Sequence, residues 1–159
     1  MTTLLIGAGG HAQVVADAIL AATPDGHTGG VIGYVDDNPA LEGTRLLGGR
    51  VIGGIADWDR AGRAPVIVAI GDNRVRRRWF MTCLNEGAGF GLVRHPSAVI
   101  ASDVRIGDGT VCLAGAVVNT GSLVGRNVIL NTSSSVDHHG RIGDHAHIGP
   151  GARLGGGVT

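Results

Sequence analysis

The C-terminal part of the chain repeats every six residues, and this period constrains the fold more than any other feature. Stepping by six from residue 100 meets aliphatic residues or cysteine at each step: Ile100, Ile106, Cys112, Val118, Val124, Leu130, Val136, Ile142, Ile148 and Leu154. Four residues after each of these, from Val104 to Val158, the side chain is small or β-branched. A fixed six-residue period is typical of a parallel β-helix built from hexapeptide repeats.

Each hexapeptide predicts one short strand and a turn, and three of them close a triangular coil. The aliphatic side chain points inward and stacks on its equivalent one coil away, which leaves no room for large rings. The composition agrees, with 29 Gly but only two Phe, two Trp and one Tyr. A solenoid is stabilised by stacking neighbours and needs a cap on its last coil. Because a fourth coil begins at Leu154 and the sequence stops at Thr159, we expect a shortened chain or a partner that covers this end.

The residues before the repeat alternate between strand and helix patterns. Apolar strands are predicted over 3–6, 31–35 and 65–70, with helices over 11–22 and 74–86 and a last strand near 91–94. This alternation indicates a small Rossmann-like α/β unit with a parallel sheet and crossover helices. We therefore expect an α/β domain over 1–94 and an all-β domain, the β-helix, over 95–159.

Charge and cysteine content restrict the partners and the compartment. Thirteen basic and thirteen acidic residues cancel, so neither nucleic acid nor an anionic membrane is expected as a partner. No apolar run approaches the roughly 20 residues of a membrane span. Cys83 and Cys112 are too few for a disulfide framework, and the first residues are typical of a strand rather than a signal peptide. These features favour a cytoplasmic protein.

A glycine-rich loop follows the first strand. Residues 7–12, Gly-Ala-Gly-Gly-His-Ala, fit G-x-G-x-x-[G/A] between a strand and a helix, where backbone N–H groups can face a phosphate. Together with Asp36 at the end of the second strand, the pattern is also compatible with an NAD site. No separate domain remains for redox chemistry, however, and the glycines could simply permit tight turns.

Several segments, in order along nearly the whole chain, carry a family resemblance. They are residues 5–11 (LIGAGGH), 33–37 (GYVDD), 69–73 (AIGDN), 94–98 (RHPSA), 117–120 (VVNT), and 131–132 (NT) through 136–138 (VDH). The chain resembles the hexapeptide-repeat acyltransferases, whose β-helix is left-handed, and more closely the sialic acid O-acetyltransferase (NeuD/PglD) branch. The resemblance implies sugar modification in bacterial glycan biosynthesis by homotrimers that bind acetyl-CoA between neighbouring β-helices. Members of this branch typically continue for several more coils.

The resemblance also implies a nucleotide-sugar pocket in the first domain. The diphosphate is expected near Gly9, Gly10 and His11, and the nucleoside near Asp36 and Asp37. The residues expected to line the other wall are Gly71, Asn73 and Arg74. The remaining arginines of the charge run that begins at Arg74 are expected on a solvated helix face: Arg76, Arg77 and Arg78.

Acyl transfer from a thioester needs a base that takes a proton from the attacking amine or hydroxyl. His138 matches the catalytic base of the family, and histidine can accept a proton near neutral pH. Relatives carry an acidic residue next, where this chain has His139, which while neutral cannot supply that charge. Asp137 is a candidate substitute. His147 and Gly156 are the candidate acetyl-CoA contacts.

Other interpretations remain open at this point. Four histidines between 138 and 147 could suggest zinc, but their spacing does not match the ligand pattern of the hexapeptide carbonic anhydrases, and we expect no metal. The expected activity is transfer of acetyl from acetyl-CoA to an amine or hydroxyl of a nucleotide-linked sugar, most simply a UDP-sugar. The alternatives are an O-acetyltransferase acting on a free sugar such as sialic acid, and a non-enzymatic nucleotide-sugar-binding or assembly subunit.

Overall fold

The protein is described by a computed structural model that covers residues 2–23, 30–62 and 64–159. The chain divides between Gly91 and Leu92 into two compact units, here called the first and the second unit. Neither of the two α-helices in the described ranges has the length and apolar character needed to cross a bilayer.

The first unit contains a five-stranded sheet in the order β3-β4-β2-β1-β5, with two α-helices and two 3-10 helices. Its elements are β1 (Thr2–Ile6), α1 (Gly10–Ala21), β2 (Gly30–Val35), a 3-10 helix (Pro39–Leu41), β3 (Arg45–Leu46), β4 (Gly49–Gly53), a 3-10 helix (Ile55–Ala61), β5 (Val66–Val68) and α2 (Asn73–Asn85). All neighbouring strands are parallel except the β3–β4 pair at one edge. The predicted α/β class is therefore confirmed.

Local sequence explains where α2 begins and what it covers. The Asp72 carboxylate accepts hydrogen bonds from the backbone N–H groups of Arg74 and Val75, both at 2.9 Å, and so caps the first turn. These bonds hold the pKa of Asp72 below its usual range. Further along the helix Phe80 is buried and stacks on Phe90, with ring centroids 4.1 Å apart. Helix α2 thus packs one face on the core while its first turn follows the end of β5.

The second unit is a parallel β-helix of two-residue strands arranged in three sheets, whose orders are β16-β13-β10-β7, β14-β11-β8 and β15-β12-β9-β6. The strands are β6 (Val93–Arg94), β7 (Val99–Ile100), β8 (Arg105–Ile106), β9 (Val111–Cys112), β10 (Val117–Val118), β11 (Leu123–Val124), β12 (Ile129–Leu130), β13 (Ser135–Val136), β14 (Arg141–Ile142), β15 (His147–Ile148) and β16 (Arg153–Leu154). Paired residues are one coil apart, as in Val118 between Ile100 and Val136. The predicted hexapeptide architecture is confirmed.

The aliphatic series forms the core of this unit. Cys112, Val118, Leu130 and Val136 are almost fully buried in one cluster, against which the terminal members of the series also pack. Burial of each such side chain is worth about 1.5–3 kcal/mol. Some buried hydroxyls bridge neighbouring coils: that of Thr110 donates to the Gly125 carbonyl at 2.9 Å and accepts from the Val128 N–H at 3.0 Å. The buried Ser134 hydroxyl, in contrast, has no hydrogen-bond partner among the described residues.

The strand predicted near 91–94 does form, but it belongs to the second unit. Val93 and Arg94 pair in parallel with Val111 and Cys112, in the same register as every later coil. In the first unit, the segment just before it makes one isolated bridge, between Phe90 and Val66. This strand therefore pairs as the first strand of the β-helix. The boundary between the two compact units lies between Gly91 and Leu92, whereas the sequence pattern predicts it after Arg94.

The corners of the β-helix share one backbone conformation. Every sixth residue has positive φ: Gly109, Gly115, Gly121, Asn127, Ser133, His139, His145, Gly151 and Gly157. In the later coils the N–H of this corner residue donates to a carbonyl of the preceding coil, as from His139 to Thr120 at 2.9 Å. Positive φ is uncommon for residues other than glycine, although asparagine, aspartate and histidine adopt it more readily than most, so a histidine at such a corner is held at a modest cost in free energy.

Candidate functional sites

The first unit holds an open cavity of about 400 Å³. Its lining residues are Gly7, Gly9, Gly10, His11, Asp36, Asp37, Ile55, Ala69, Ile70, Gly71, Val75, Arg78 and Trp79. They come from the segments that follow β1, β2, β4 and β5, at the carboxyl ends of parallel strands, which is where α/β sheets usually bind ligands. The structure thus brings together six of the eight residues predicted for the nucleotide sugar; Asn73 and Arg74 are not among the lining residues.

The glycines of the first loop differ in what they do. A Cβ on Gly7 would lie 2.8 Å from Ile70 Cγ1, and φ there is +99°, so Gly7 is required by the turn itself. A Cβ on Gly9 or Gly10 would meet nothing within 4 Å. Gly9 is also the N-cap of α1 and provides no side-chain bond to the first turn. The positive end of α1 therefore opens beside the cavity, as an anion site requires.

The two aspartates after β2 hold the surrounding loops in place. Asp36 accepts hydrogen bonds from the N–H of Ala8 at 2.7 Å and of Asn38 at 2.9 Å, one on each carboxylate oxygen. Asp37 accepts from the N–H of Ile55 at 2.9 Å. An acid that binds the ribose of NAD offers its oxygens to two hydroxyls. Each oxygen of Asp36 accepts one backbone N–H group and keeps a second lone pair, so Asp36 fixes these loops and can still accept a ribose hydroxyl.

Arg76 was expected on a solvated face, and this expectation is wrong, because its side chain is only 1% exposed. Its guanidinium donates to the carbonyls of Ile70 at 3.1 Å and Gly71 at 3.2 Å, and to the side-chain oxygen of Asn73 at 2.8 Å. Burial lowers the pKa of Arg76 to about 10, so the side chain remains protonated at neutral pH. Arg76 thus holds the cavity wall formed by residues 70 and 71, and Asn73 contributes to that wall through Arg76.

Three lining residues of α2 were not identified from the sequence as cavity residues. Val75, Arg78 and Trp79 follow the helical i, i+3, i+4 spacing and so share one face. The Arg78 guanidinium carbon lies 5.2 Å from the centroid of the Trp79 ring, within cation–π distance. The Trp79 indole N–H is buried and has no hydrogen-bond partner within the described part of the chain. Helical spacing counted forward from the Gly71 turn would have identified this face.

In the second unit His138 lies at a corner, and its side chain is exposed rather than inside the coil. Its ring packs on the glycine of the next coil: a Cβ on Gly156 would lie 2.5 Å from His138 Cε1 and 2.6 Å from Nε2. The structure thus brings His138 and Gly156 together. It also leaves the imidazole accessible, as a base that receives a proton from a substrate requires.

Asp137 orders the turn on which His138 sits. One oxygen of its carboxylate accepts from the Asn119 amide at 2.9 Å and from the backbone N–H of His138 at 2.8 Å. The bond from Asn119, followed by that from the His138 N–H, holds the pKa of Asp137 below its usual range. These contacts fix the backbone of His138, whereas the hydrogen-bond contact to its ring comes from His139.

His139 touches the ring of His138 directly. The two Nδ1 atoms lie 3.1 Å apart, and the rings meet edge to face with centroids 5.3 Å apart. A hydrogen bond across this distance needs a proton on one nitrogen and a lone pair on the other. A neutral His139 can therefore orient His138 without the negative charge that an acidic residue would add.

The other two histidines of this region have amide partners. The Asn131 amide lies 2.9 Å from His147 Nε2, and the Asn127 amide lies 2.8 Å from His145 Nδ1. His147 begins β15, whereas His138 follows β13, and these strands belong to different sheets. Over residues 2–23, 30–62 and 64–159, no three or more His, Cys, Asp or Glu side chains are grouped so that they could hold a metal ion.

Comparison with known proteins agrees with this architecture. A family model described as the PglD N-terminal domain matches residues 3–83, about half of the chain. The acetyltransferase domain of PglB from Neisseria gonorrhoeae FA1090, in complex with acetyl coenzyme A, is 33% identical with a TM-score of 0.86, over 96% of this chain and 72% of that one. No curated protein matches at a significant level.

Two further solved structures are similar over almost the whole chain. PerB from Caulobacter crescentus, in complex with CoA and GDP-perosamine, is 36% identical with a TM-score of 0.86, covering 99% of this chain and 72% of that one. WeeI from Acinetobacter baumannii AYE is 25% identical with a TM-score of 0.83, covering 98% and 73%.

The two units and these matches define an acyltransferase with an α/β N-terminal unit and a hexapeptide β-helix. More narrowly, the chain belongs to the PglD-like family of sugar acetyltransferases, which confirms the predicted resemblance. The left-handed winding that the resemblance implies is consistent with the stacked parallel strands and with these structures.

Proposed function

We propose that the protein transfers an acetyl group from acetyl-CoA to an amine or hydroxyl of a nucleotide-linked sugar, with His138 as the general base. The observation that carries this proposal is the exposed His138 ring at a corner of the β-helix, backed by Gly156 and contacted by His139. In the reaction the nucleophile attacks the thioester carbonyl, its proton passes to His138 Nε2, and the CoA thiolate leaves and is reprotonated.

The nucleotide part of the substrate is assigned to the cavity of the first unit. The diphosphate lies against the uncapped N-terminus of α1 at Gly9, Gly10 and His11, where backbone N–H groups and the helix dipole favour an anion. Arg78 adds a positive charge to the lining of the cavity. Support for this assignment comes from the space over Gly9 and Gly10, which packing leaves open.

The remaining assignments complete this scheme. The nucleoside, which we propose to be uridine, contacts the segment of Asp36 and Asp37 beside Gly71. Arg74, exposed at the first turn of α2, contacts the diphosphate, and Asn73 acts by holding Arg76. His147 and Gly156 contact acetyl-CoA. We further propose a cytoplasmic homotrimer in which the sugar reaches His138 of a neighbouring subunit.

Activity is tested by following CoA release from acetyl-CoA with a panel of UDP- and GDP-linked amino sugars and with free sialic acid. His138→Gln should lower kcat by roughly 10²–10⁴, the usual contribution of a general base. The matched control is His145→Gln, which changes another corner histidine and should keep wild-type activity. Near wild-type turnover by His138→Gln would overturn the role of this residue, and turnover of sialic acid alone would overturn the nucleotide-sugar assignment.

Nucleotide binding is tested by replacing a cavity glycine with alanine at a position where the added methyl group contacts no other atom of the protein. Gly10→Ala should leave the thermal unfolding temperature unchanged, because the new Cβ meets nothing within 4 Å, and should weaken calorimetric binding of a UDP-sugar about tenfold or more by occupying the space of a phosphate. Unchanged affinity would place the phosphates elsewhere. Binding of the nucleotide sugar without binding of acetyl-CoA would favour a non-enzymatic subunit.

A further inference from the structure

The corner that carries His138 contains a second imidazole, and the equivalent corner two coils below contains a carboxylate; the proposed mechanism does not use either group. We infer that His139, supported by Asp103, is a positioning residue that accepts the Nδ1–H of His138 and thereby leaves His138 Nε2 as the basic nitrogen. The inference rests on the proposed function for its catalytic consequence, but the protonation pattern itself can be measured without activity.

The position of His139 is fixed by the backbone. It occupies a left-handed corner with φ of 58°, and its N–H donates to the Thr120 carbonyl at 2.9 Å. Its ring lies on the corner glycine of the coil below: a Cβ on Gly121 would be 2.7 Å from His139 Cδ2 and 2.9 Å from Nε2. The Nε2 edge of His139 therefore points to the lower coil, while its Nδ1 faces His138.

Asp103 lies beside the same glycine. One oxygen of its carboxylate accepts from the Gly121 N–H and from the Thr120 hydroxyl, both at 2.8 Å. The hydroxyl bond, then the N–H bond, hold the pKa of Asp103 below its usual range, so this carboxyl is ionised at neutral pH. The lower side of the His139 ring is thus next to a fixed negative charge.

This charge acts on the His139 ring through space, across Gly121, and biases which ring nitrogen carries the proton. A carboxylate near Nε2 favours a hydrogen at Nε2 and so leaves a lone pair on Nδ1. His139 Nδ1 then accepts from His138 Nδ1 over 3.1 Å, and the lone pair of His138 resides on Nε2. The other carboxylate at this corner, Asp137, uses one oxygen to bind the Asn119 amide and the backbone N–H of His138, and makes no hydrogen bond to the His138 ring among the described residues.

When His138 takes a proton from the substrate, the same bond becomes charge-assisted and stronger. A hydrogen bond to a charged group contributes about 1.5–3 kcal/mol, which corresponds to about ten- to a hundredfold in rate. This is the loss in kcat that we expect when the acceptor on residue 139 is removed, with KM for both substrates unchanged.

Two variants at the same position separate positioning from folding. His139→Gly removes the ring and introduces the residue found at the equivalent corners, Gly121 and Gly157. Because glycine adopts positive φ without steric cost, this substitution should not strain the backbone of the turn. His139→Asn also tolerates positive φ and places its Oδ1 where Nδ1 was, two bonds from Cβ, so the acceptor is restored. His145→Gly, at a corner with φ of 63°, is the matched control for losing a corner histidine.

The decisive measurement is the tautomer of His138 in protein labelled with ¹⁵N-histidine, read from two-bond ¹⁵N–¹H couplings near pH 8 and assigned with His138→Gln. The wild type, His139→Asn and His145→Gly should show a protonated Nδ1 and a bare Nε2. His139→Gly should shift His138 toward the Nε2–H form and lose kcat, and Asp103→Asn, which keeps the acceptor but removes the charge, should shift it in part.

A wild-type His138 protonated at Nε2, or a His139→Gly protein with the wild-type tautomer, would overturn the inference. So would a kcat that falls equally in His139→Gly and His139→Asn. If the protein transferred no acetyl group to any acceptor, the proposed function would fail, while the tautomers would still decide the positioning role of His139.

Discussion

Replacing Arg76 by methionine should destabilise the first unit by about 2–4 kcal/mol, although the substitution adds only apolar atoms to a buried site. Methionine fills a similar volume and suits a helix, so packing and helix propensity change little. What is lost is the donor to three acceptors, the carbonyls of Ile70 and Gly71 and the side-chain oxygen of Asn73.

The expected magnitude is a balance of two effects. Each acceptor left without a partner costs about 1–3 kcal/mol, less where water reaches it. Removing the buried charge offsets part of this cost, because the folded protein no longer has to keep a guanidinium ion away from water. Burial lowers the pKa of Arg76 to about 10, from an ordinary value of roughly 12.5, and this difference corresponds to about 3 kcal/mol. With about 2 kcal/mol for each of the three acceptors, the middle of that range, the net destabilisation is about 2–4 kcal/mol. Arg76→Lys should be intermediate, since it keeps the charge but not the fork of donors.

The assay is urea unfolding followed by tryptophan fluorescence. Both tryptophans of the chain, Trp58 and Trp79, belong to the first unit, so the signal reports that unit. The matched control, Arg77→Met on the exposed face of α2, should change the free energy of unfolding by no more than about 0.5 kcal/mol. Equal urea midpoints for the Arg76 and Arg77 variants would refute the reasoning.

Three further predictions concern the β-helix. Gly156→Ala should lower kcat about tenfold or more, because the new methyl group would push the His138 ring away. The control Gly155→Ala, whose Cβ meets nothing within 4 Å, should have the kcat of the wild type. Equal kcat values for the two variants would contradict the contact between Gly156 and the His138 ring. Leu130→Ala should cost about 2–5 kcal/mol in a circular-dichroism melt, because this side chain is buried on the coil axis; a melt like that of the wild type would argue against a packed axis. Folding lowers the pKa of Asp137. The ionised carboxylate therefore stabilises the fold fully above the unfolded pKa of roughly 3.9, and this stabilisation is lost as the pH falls through the lower folded pKa. Asp137→Asn should make the melting temperature less sensitive to acid, and an unchanged dependence of the melting temperature on pH would contradict this.

The β-helix could be predicted from the sequence because its core has a strict geometric period. Each inward side chain repeats the direction of the one six residues earlier, so residue type alone revealed the register from Ile100 onward. The period failed at its first strand for a physical reason. Stepping back by six from Ile100 leads to Arg94, an exposed residue whose guanidinium donates to the Ala98 carbonyl rather than filling the axis.

The cavity of the first unit was predictable in part. Loops at the carboxyl ends of parallel strands must meet at one edge, so Gly9, Asp36 and Gly71 were expected to converge, and they do. Arg76 was missed because a run of arginines resembles a solvated surface. Its burial depends on carbonyls that the end of β5 leaves without strand partners, which only the tertiary structure reveals.

Some of the positive-φ corners of the β-helix carry residues other than glycine, which is the residue that fits this backbone conformation at the lowest cost in free energy. Four successive corners carry side chains at positive φ, at Asn127, Ser133, His139 and His145, whereas the corners on either side are glycine. A left-handed backbone costs an ordinary residue about 1–2 kcal/mol. Engineering for heat tolerance would therefore target Ser133, His139 and His145 with glycine, since Asn127 already tolerates this conformation. At residue 139 the gain in stability would be made at the expense of the proposed proton acceptor.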